Sequence, residues 1–75
     1  MIRVTAVTPQ PDYILQLTFN NGEQRLFDMR PYLHYPVFRP LENIGFFSLA
    51  QVDYGTVTWP GEIDIAPETL FALGQ

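Results

Sequence analysis

The sequence predicts an α+β fold, a small antiparallel β-sheet in the order β-β-β-short helix-β-β-α with helices packed on one face. Three observations support this prediction. Several short segments alternate apolar and polar residues, as strands do. An Asn21-Gly22 pair stands between two of these segments, and Pro67-Glu68 has the composition of a helix start. Because 75 residues suffice for one domain only, residues 1–75 are predicted to form a single domain.

The first part of the chain is predicted to form three strands. Alternation rich in β-branched and aromatic residues indicates strands over residues 2–8 and 13–19. Asn21-Gly22 predicts a type I′ turn, because both central residues of that turn need positive φ. The third strand, residues 24–28, should then return antiparallel to the second.

The middle of the chain is predicted to contain short helical turns. Asp28 should end the hairpin and cap the first turn. That turn cannot pass Pro36, because proline disfavours helical geometry in the residue before it. A second turn is predicted from Pro40 onward. Its inner face would carry Leu41, Ile44 and Phe47.

A second hairpin follows in the prediction. Strands over residues 49–54 and 56–59 would pair, and Pro60-Gly61 would end the later strand. With this hairpin, five strands are predicted in all.

The closing helix is indicated by the residues that flank its start and end. Pro67 suits the first helical position, which places Ala66 at the N-cap. Ile65 and Leu70 have the spacing of a hydrophobic staple across the helix start. Gly74 stands where a helix C-terminus favours positive φ.

The composition argues against several classes of protein. Eight acidic residues face four arginines and no lysine, so the formal net charge is −4. Nucleic-acid binding needs clustered cations, and these arginines are scattered, so no direct nucleic-acid binding is expected. A basic protein partner suits the negative charge better, although acidity alone also keeps a small protein soluble. Without cysteine, neither a disulfide nor a thiolate zinc site can form.

Length and hydropathy give expectations for location and stability. The sequence shows no secretory signal and no apolar run of membrane-spanning length, so a cytoplasmic protein without membrane contact is predicted. Burying roughly 4,600 Å² of apolar surface contributes about 115 kcal/mol, whereas ordering the chain costs about 110 kcal/mol. Because these energies nearly cancel, the monomer is expected to be marginally stable, and a homodimer would be one remedy.

The order of several short motifs is more specific than any one of them. They are an Asn-Gly hairpin ending in aspartate, a Phe-x-x-Leu element, a second hairpin, Trp-Pro followed by Asp, and a Pro-Glu-x-Leu helix start. The residues are Phe19, Asn21-Gly22, Asp28, Phe38, Leu41, Phe47, Val52, Gly55, Trp59-Pro60, Asp64 and Pro67-Glu68-Thr69-Leu70. In this order, over essentially the whole chain, they resemble a bacterial family catalogued as domain of unknown function 2442, DUF2442. One departure is Gly61-Glu62, where members often carry Asn-Gly.

The resemblance implies an α+β fold and an uncharacterised activity. Members of the family look like partners of another small protein encoded by a neighbouring gene, which suggests a toxin–antitoxin arrangement. Some members carry an additional helix-turn-helix domain. These 75 residues have no room for one, so a DNA-binding role is not carried over.

Three acidic residues are candidates for chemistry. Glu62 and Asp64 would share a face in an extended segment, where paired carboxylates can act in acid–base catalysis, hold a hard cation or form an interaction surface. The simpler interpretation gives Asp64 an Asx-turn before the closing helix and Asp28 a capping role. His34, the only histidine, has no nearby nucleophile or second histidine. No catalytic, cofactor-binding or metal-binding residue is therefore predicted.

The aromatic residues give the candidate interaction surface. Trp59-Pro60 could form a binding platform, but in so short a chain the tryptophan is expected to fill the core. The aromatic cluster in the middle of the chain is too large for a small core to hide, so part of it should form a partner surface. This candidate surface consists of Tyr32, Tyr35, Phe38, Phe46 and Phe47.

The leading hypothesis is a non-enzymatic protein–protein interaction module, an antitoxin-like partner or adaptor. One alternative is a self-associating homodimer. The other is an enzyme that uses Asp28, Glu62 or Asp64, which requires these carboxylates to converge in one pocket.

Overall fold

The computed structural model describes residues 1–75 and arranges six strands in two antiparallel sheets. The first sheet has the order β1-β2-β3, with strands Val4–Gln10, Ile14–Phe19 and Gln24–Asp28. The second has the order β4-β5-β6, with strands Gln51–Asp53, Thr56–Trp59 and Ile63–Ile65. The predicted α+β class is confirmed. The division into two sheets and the strand β6 were not predicted.

The helical segments are all short. The α-helices are α1 (Ile44–Phe47) and α2 (Pro67–Leu73). Turns of 3₁₀ helix occupy Pro11–Tyr13, Arg30–Tyr32 and Pro36–Glu42. Neither α-helix has the length and apolar content needed to cross a membrane.

The first strand differs from its predicted bounds. It begins at Val4 and runs past Pro9, which pairs with Leu15 of β2. Proline is tolerated there because β1 is an edge strand, and an edge strand has no partner for the missing N–H on its outer side. An irregularity in register between Val4 and Ala6 breaks the predicted alternation, so Val4 is buried and Ala6 is exposed.

The turn between β2 and β3 differs from its predicted geometry. Between β2 and β3, Phe19 accepts from the Gly22 N–H and donates to the Glu23 carbonyl, which leaves a three-residue loop with positive φ at Gly22 but not at Asn21. The predicted type I′ turn at Asn21-Gly22 is therefore wrong. In the two-residue loop between β4 and β5, by contrast, both residues have the positive φ of a type I′ turn, Tyr54 at 54° and Gly55 at 76°.

Replacing Tyr54 by asparagine is expected to raise the free energy of unfolding by about 1 kcal/mol, because asparagine tolerates the left-handed backbone far better than an aromatic residue. The tyrosine side chain is 93 % exposed, so the change removes little packing. Urea denaturation followed by circular dichroism measures the effect. Tyr54→Val, which puts a β-branched residue at positive φ, should move the midpoint in the opposite direction. Equal midpoints for both variants would contradict the assigned turn.

One hydrophobic core is shared by both sheets and the helical segments. Its buried residues are Val4, Leu15, Leu17, Phe19, Phe27, Met29, Leu41, Phe47, Val57, Trp59, Ile63, Ile65 and Leu70. Within β5, Val57 and Trp59 point into this core, as the alternation predicted. The sheets also meet through the backbone, where the Val4 N–H donates to the Gly55 carbonyl at 2.9 Å.

The closing helix begins as predicted but ends differently. Pro67 follows an extended Ala66 at the N-cap, and the staple residues Ile65 and Leu70 are both buried. Gly74 has φ −73°, so the predicted positive φ is wrong. Glycine is needed there for space, because a Cβ atom would lie 2.6 Å from the Leu70 carbonyl oxygen.

Candidate functional site

Asn43 divides the middle of the chain into two helical pieces. Its backbone is extended between the 3₁₀ turn Pro36–Glu42 and α1, and its side chain accepts a hydrogen bond from the Phe46 N–H at 3.1 Å. Because the helix restarts at Asn43, Leu41 and Ile44 do not share a face. Leu41 is fully buried, whereas Ile44 is 50 % exposed. The predicted inner face is confirmed for Leu41 and Phe47 and wrong for Ile44.

Both sheets hold this middle segment through hydrogen bonds to its backbone. From the first sheet's side, the Tyr13 hydroxyl donates to the Glu42 carbonyl. From the second, the indole Nε1 of Trp59 donates to the Phe47 carbonyl at 2.9 Å. Trp59 is buried, so its ring serves the core and is not an exposed binding platform. The segment is thereby fixed to the sheets at two points.

Phe47 does not belong to the predicted interaction surface. It is fully buried, with its ring edge-to-face to Tyr13 at 5.3 Å and 6.2 Å from the ring of Trp59. The other predicted members keep some exposure. Tyr35 is exposed, while Tyr32, Phe38 and Phe46 are half-buried against the core.

Aliphatic residues that sequence reasoning did not include complete the exposed apolar surface. Large apolar side chains between 45 % and 55 % exposed recur over residues 35–49, and we call these four the middle surface: Tyr35, Val37, Ile44 and Leu49. They are half of the eight large hydrophobic residues that the protein exposes. The 3₁₀ turn carries Val37 and α1 carries Ile44, and these two helical pieces pack against each other. The Asn43 cap was the sequence signal that could have placed Ile44 outside.

A second feature is the polar face of the β4-β5-β6 sheet. Gln51, Thr58 and Asp64 lie directly opposite one another across the three strands, so their side chains share a face. Asp53 and Glu62 join them in lining a cleft of about 600 Å³, which we call the acidic cleft. The structure contains no group of three or more acidic or histidine side chains placed to hold a metal ion.

The carboxylates of the acidic cleft are not neutralised by arginine. The protein's salt bridges are Glu23–Arg25, Asp28–Arg30 and Glu42–Arg39, all outside the cleft. The Asx-turn predicted for Asp64 does not form, because its carboxylate accepts no hydrogen bond from the backbone before α2, and the N-cap Ala66 has no capping side chain. Glu62 and Asp64 are both exposed, and Glu62 has a left-handed backbone at φ 63°. Negative charge is therefore concentrated on this face.

Asp28 lies on β3, away from the acidic cleft. Its Oδ1 accepts the Arg30 backbone N–H at 2.9 Å, which is the local bond expected of a residue that ends the hairpin. Its carboxylate also accepts from the Arg30 guanidinium at 2.8 Å and 3.0 Å. The side-chain hydrogen bond from Arg30 lowers the pKa of Asp28 below its usual value. Asp28 therefore does not share a pocket with Glu62 and Asp64, as the carboxylate-enzyme alternative requires.

The Asp28 carboxylate should make the free energy of unfolding depend on pH in the acidic range. Since the folded-state pKa is lowered, this stabilisation is present above the unfolded pKa near 3.8 and is lost as pH falls through the folded pKa. Asp28→Asn should therefore have a lower urea midpoint than the wild type at neutral pH, and the difference should shrink below the unfolded pKa. A difference that does not vary with pH would contradict this assignment.

Comparison with known proteins agrees with the family resemblance that the order of motifs indicated. No curated protein and no solved structure matches this chain. The family model described as "Protein of unknown function (DUF2442)" matches residues 4–75, which carry both sheets, the middle surface and the acidic cleft. The chain therefore belongs to the DUF2442 family.

Proposed function

We propose that this protein is a non-enzymatic protein–protein interaction module whose middle surface docks on a partner protein. The observation that carries the proposal is the concentration of exposed apolar side chains over residues 35–49. Exposed apolar patches on small proteins commonly mark interaction sites. In its most specific form, the proposal makes the protein an antitoxin-like partner of a small protein encoded by a neighbouring gene.

The free energy gained by burying the middle surface is too small to hold a complex by itself. Burying the exposed half of four large apolar side chains contributes about 4 kcal/mol. A micromolar complex needs a net binding free energy of about 8 kcal/mol, and its contacts must also offset the cost of association. The half-buried rings of Tyr32, Phe38 and Phe46, in the same part of the chain, expose further apolar area. Polar or charged contacts must supply the remainder.

The arrangement of titratable groups favours binding over catalysis. Asp28 is paired with Arg30, and His34 is exposed with its ring 4.4 Å from that of Tyr35. Glu62 and Asp64 line a cleft that contains no histidine. A general base must be within hydrogen-bond reach of the proton it takes, and neither Glu62 nor Asp64 is hydrogen-bonded to Thr58, which carries the one hydroxyl group in the cleft.

Co-expression with the product of the neighbouring gene tests the proposal. The tagged DUF2442 protein is expected to retain the partner through affinity and size-exclusion chromatography and to relieve any growth inhibition that the partner causes alone. Absence of a shared elution peak, together with unrelieved growth inhibition, would remove the antitoxin-like role.

A homodimer is the second candidate, since the middle surface could also pair with itself. Sedimentation velocity at high micromolar concentration separates the two candidates, because a middle surface kept for another protein should leave the chain as the 8.6 kDa monomer. A species of twice that mass would favour the homodimer.

A further inference from the structure

Strand β6 has an outer edge with no backbone partner. The other sheet edges are at least partly covered: Gln75 exchanges two backbone hydrogen bonds with Leu26 of β3, at 2.8 Å and 3.0 Å, and β1 packs along β4. On β6, hydrogen bonds reach only β5, and no other backbone bond involves Ile63–Ile65. An open strand edge offers a row of N–H and C=O groups to any extended segment that meets it.

The side chains around this edge determine which segment fits. Ile63 and Ile65 are buried on one side of β6, while Asp64 between them faces the acidic cleft. Asp53 and Glu62 lie at the same cleft, and no arginine lines it. A strand added to β6 would place alternate side chains over this negative face.

A second copy of this chain is a poor occupant. Two β6 strands paired about their centres would bring Asp64 close to its counterpart, and like charges opposite each other destabilise a strand pair. Lysine or arginine at alternate positions of the added strand would instead meet the unneutralised carboxylates. Such contacts are charge-assisted and stronger than neutral hydrogen bonds.

We propose that the β6 edge binds an extended, basic segment of a partner protein by strand addition, with lysine or arginine at alternate positions facing Asp64 and the acidic cleft. Backbone hydrogen bonds along the edge give affinity, and the alternating cations select the segment. The proposal rests on the proposed interaction function and names the chemistry of the partner. It also identifies a source for the polar contacts that the middle surface lacks.

The test uses the whole protein and a short synthetic peptide that alternates arginine with valine, followed by NMR titration and amide exchange. Binding should slow exchange within Ile63–Ile65 and should weaken about tenfold in Asp64→Asn. Asp12→Asn is the matched control, because Asp12 is an exposed acid without a salt bridge outside the cleft, and asparagine accepts its left-handed backbone. That control should bind the peptide as the wild type does.

Three outcomes would overturn the proposal. In the first, the peptide does not perturb β6. In the second, a backbone N-methylated version binds equally well, which leaves only non-specific charge attraction. In the third, calcium or magnesium alone reproduces the shifts that the peptide produces. Because the peptide replaces the partner, a failure here leaves the co-expression result intact. A failure of co-expression likewise leaves the peptide result intact, so the two proposals fail separately.

Discussion

Replacing Trp59 by alanine is expected to unfold the protein. The indole is 3 % exposed, lies in the shared core and donates a buried hydrogen bond to the Phe47 carbonyl. Truncating a buried tryptophan to alanine costs about 3–5 kcal/mol. A domain of this length has a total stability of about 4–11 kcal/mol. The loss is therefore comparable to the whole stability of the fold. Any structure that remained would lack the hydrogen bond that ties Phe47 to the second sheet.

Trp59→Phe separates the two contributions of the indole. This variant keeps an aromatic ring in the core but loses the N–H donor, while the Phe47 carbonyl still accepts from the Ala50 N–H at 3.2 Å. Its cost should be smaller, about 1–2 kcal/mol. Urea denaturation followed by far-ultraviolet circular dichroism measures both variants without relying on tryptophan fluorescence. A wild-type midpoint for Trp59→Ala would contradict the central place of this residue in the core.

Replacing Ile44 by arginine is expected to weaken partner binding about a hundredfold. The substitution removes an apolar contact from the middle surface and forces a guanidinium group into a region that the partner would desolvate. The fold should survive, because half of the isoleucine side chain is already exposed. Isothermal titration calorimetry with the purified partner gives the ratio of dissociation constants, and thermal melting checks the fold.

Leu73→Arg is the matched control for that experiment. Leu73 is 53 % exposed and lies at the end of α2, outside the middle surface, where a cation interacts favourably with the helix C-terminus. It should bind the partner with wild-type affinity. Equal weakening by both variants would point to a non-specific effect of added positive charge, and equal affinity would show that Ile44 is outside the interface.

Local signals in the sequence predicted most of the fold. The strands β2 and β5 have the predicted alternation, β3 has the predicted bounds, and α2 begins at the predicted proline. Strand β6 was missed because three residues are too few to establish alternation, and Pro60-Gly61 was taken as the end of the sheet. Its stability comes from burying Ile63 and Ile65 in the shared core, which is a tertiary effect.

The candidate site was less predictable than the fold, because exposure depends on how helical pieces are joined. Ile44 was expected inside on the assumption of one helix from Pro40 onward, but the cap at Asn43 changes the phase. Phe47 was predicted on the inner face of the second helical turn, but it was also included in the candidate interaction surface because aromatic residues outnumbered the space of a small core. The core accommodates it between Tyr13 and Trp59. The acidic cleft could not be predicted without β6, because pairing of β6 with β5 sets Asp64 opposite Thr58.

The central claim is that a partner protein covers the middle surface, and amide hydrogen exchange of the complex tests it most directly. The free protein and the co-purified complex are compared residue by residue. Exchange should slow in the complex at residues 35–49, around Tyr35, Val37, Ile44 and Leu49, and should be unchanged in the hairpin of β2 and β3. Slowing confined to that hairpin, with residues 35–49 exchanging as in the free protein, would contradict the claim.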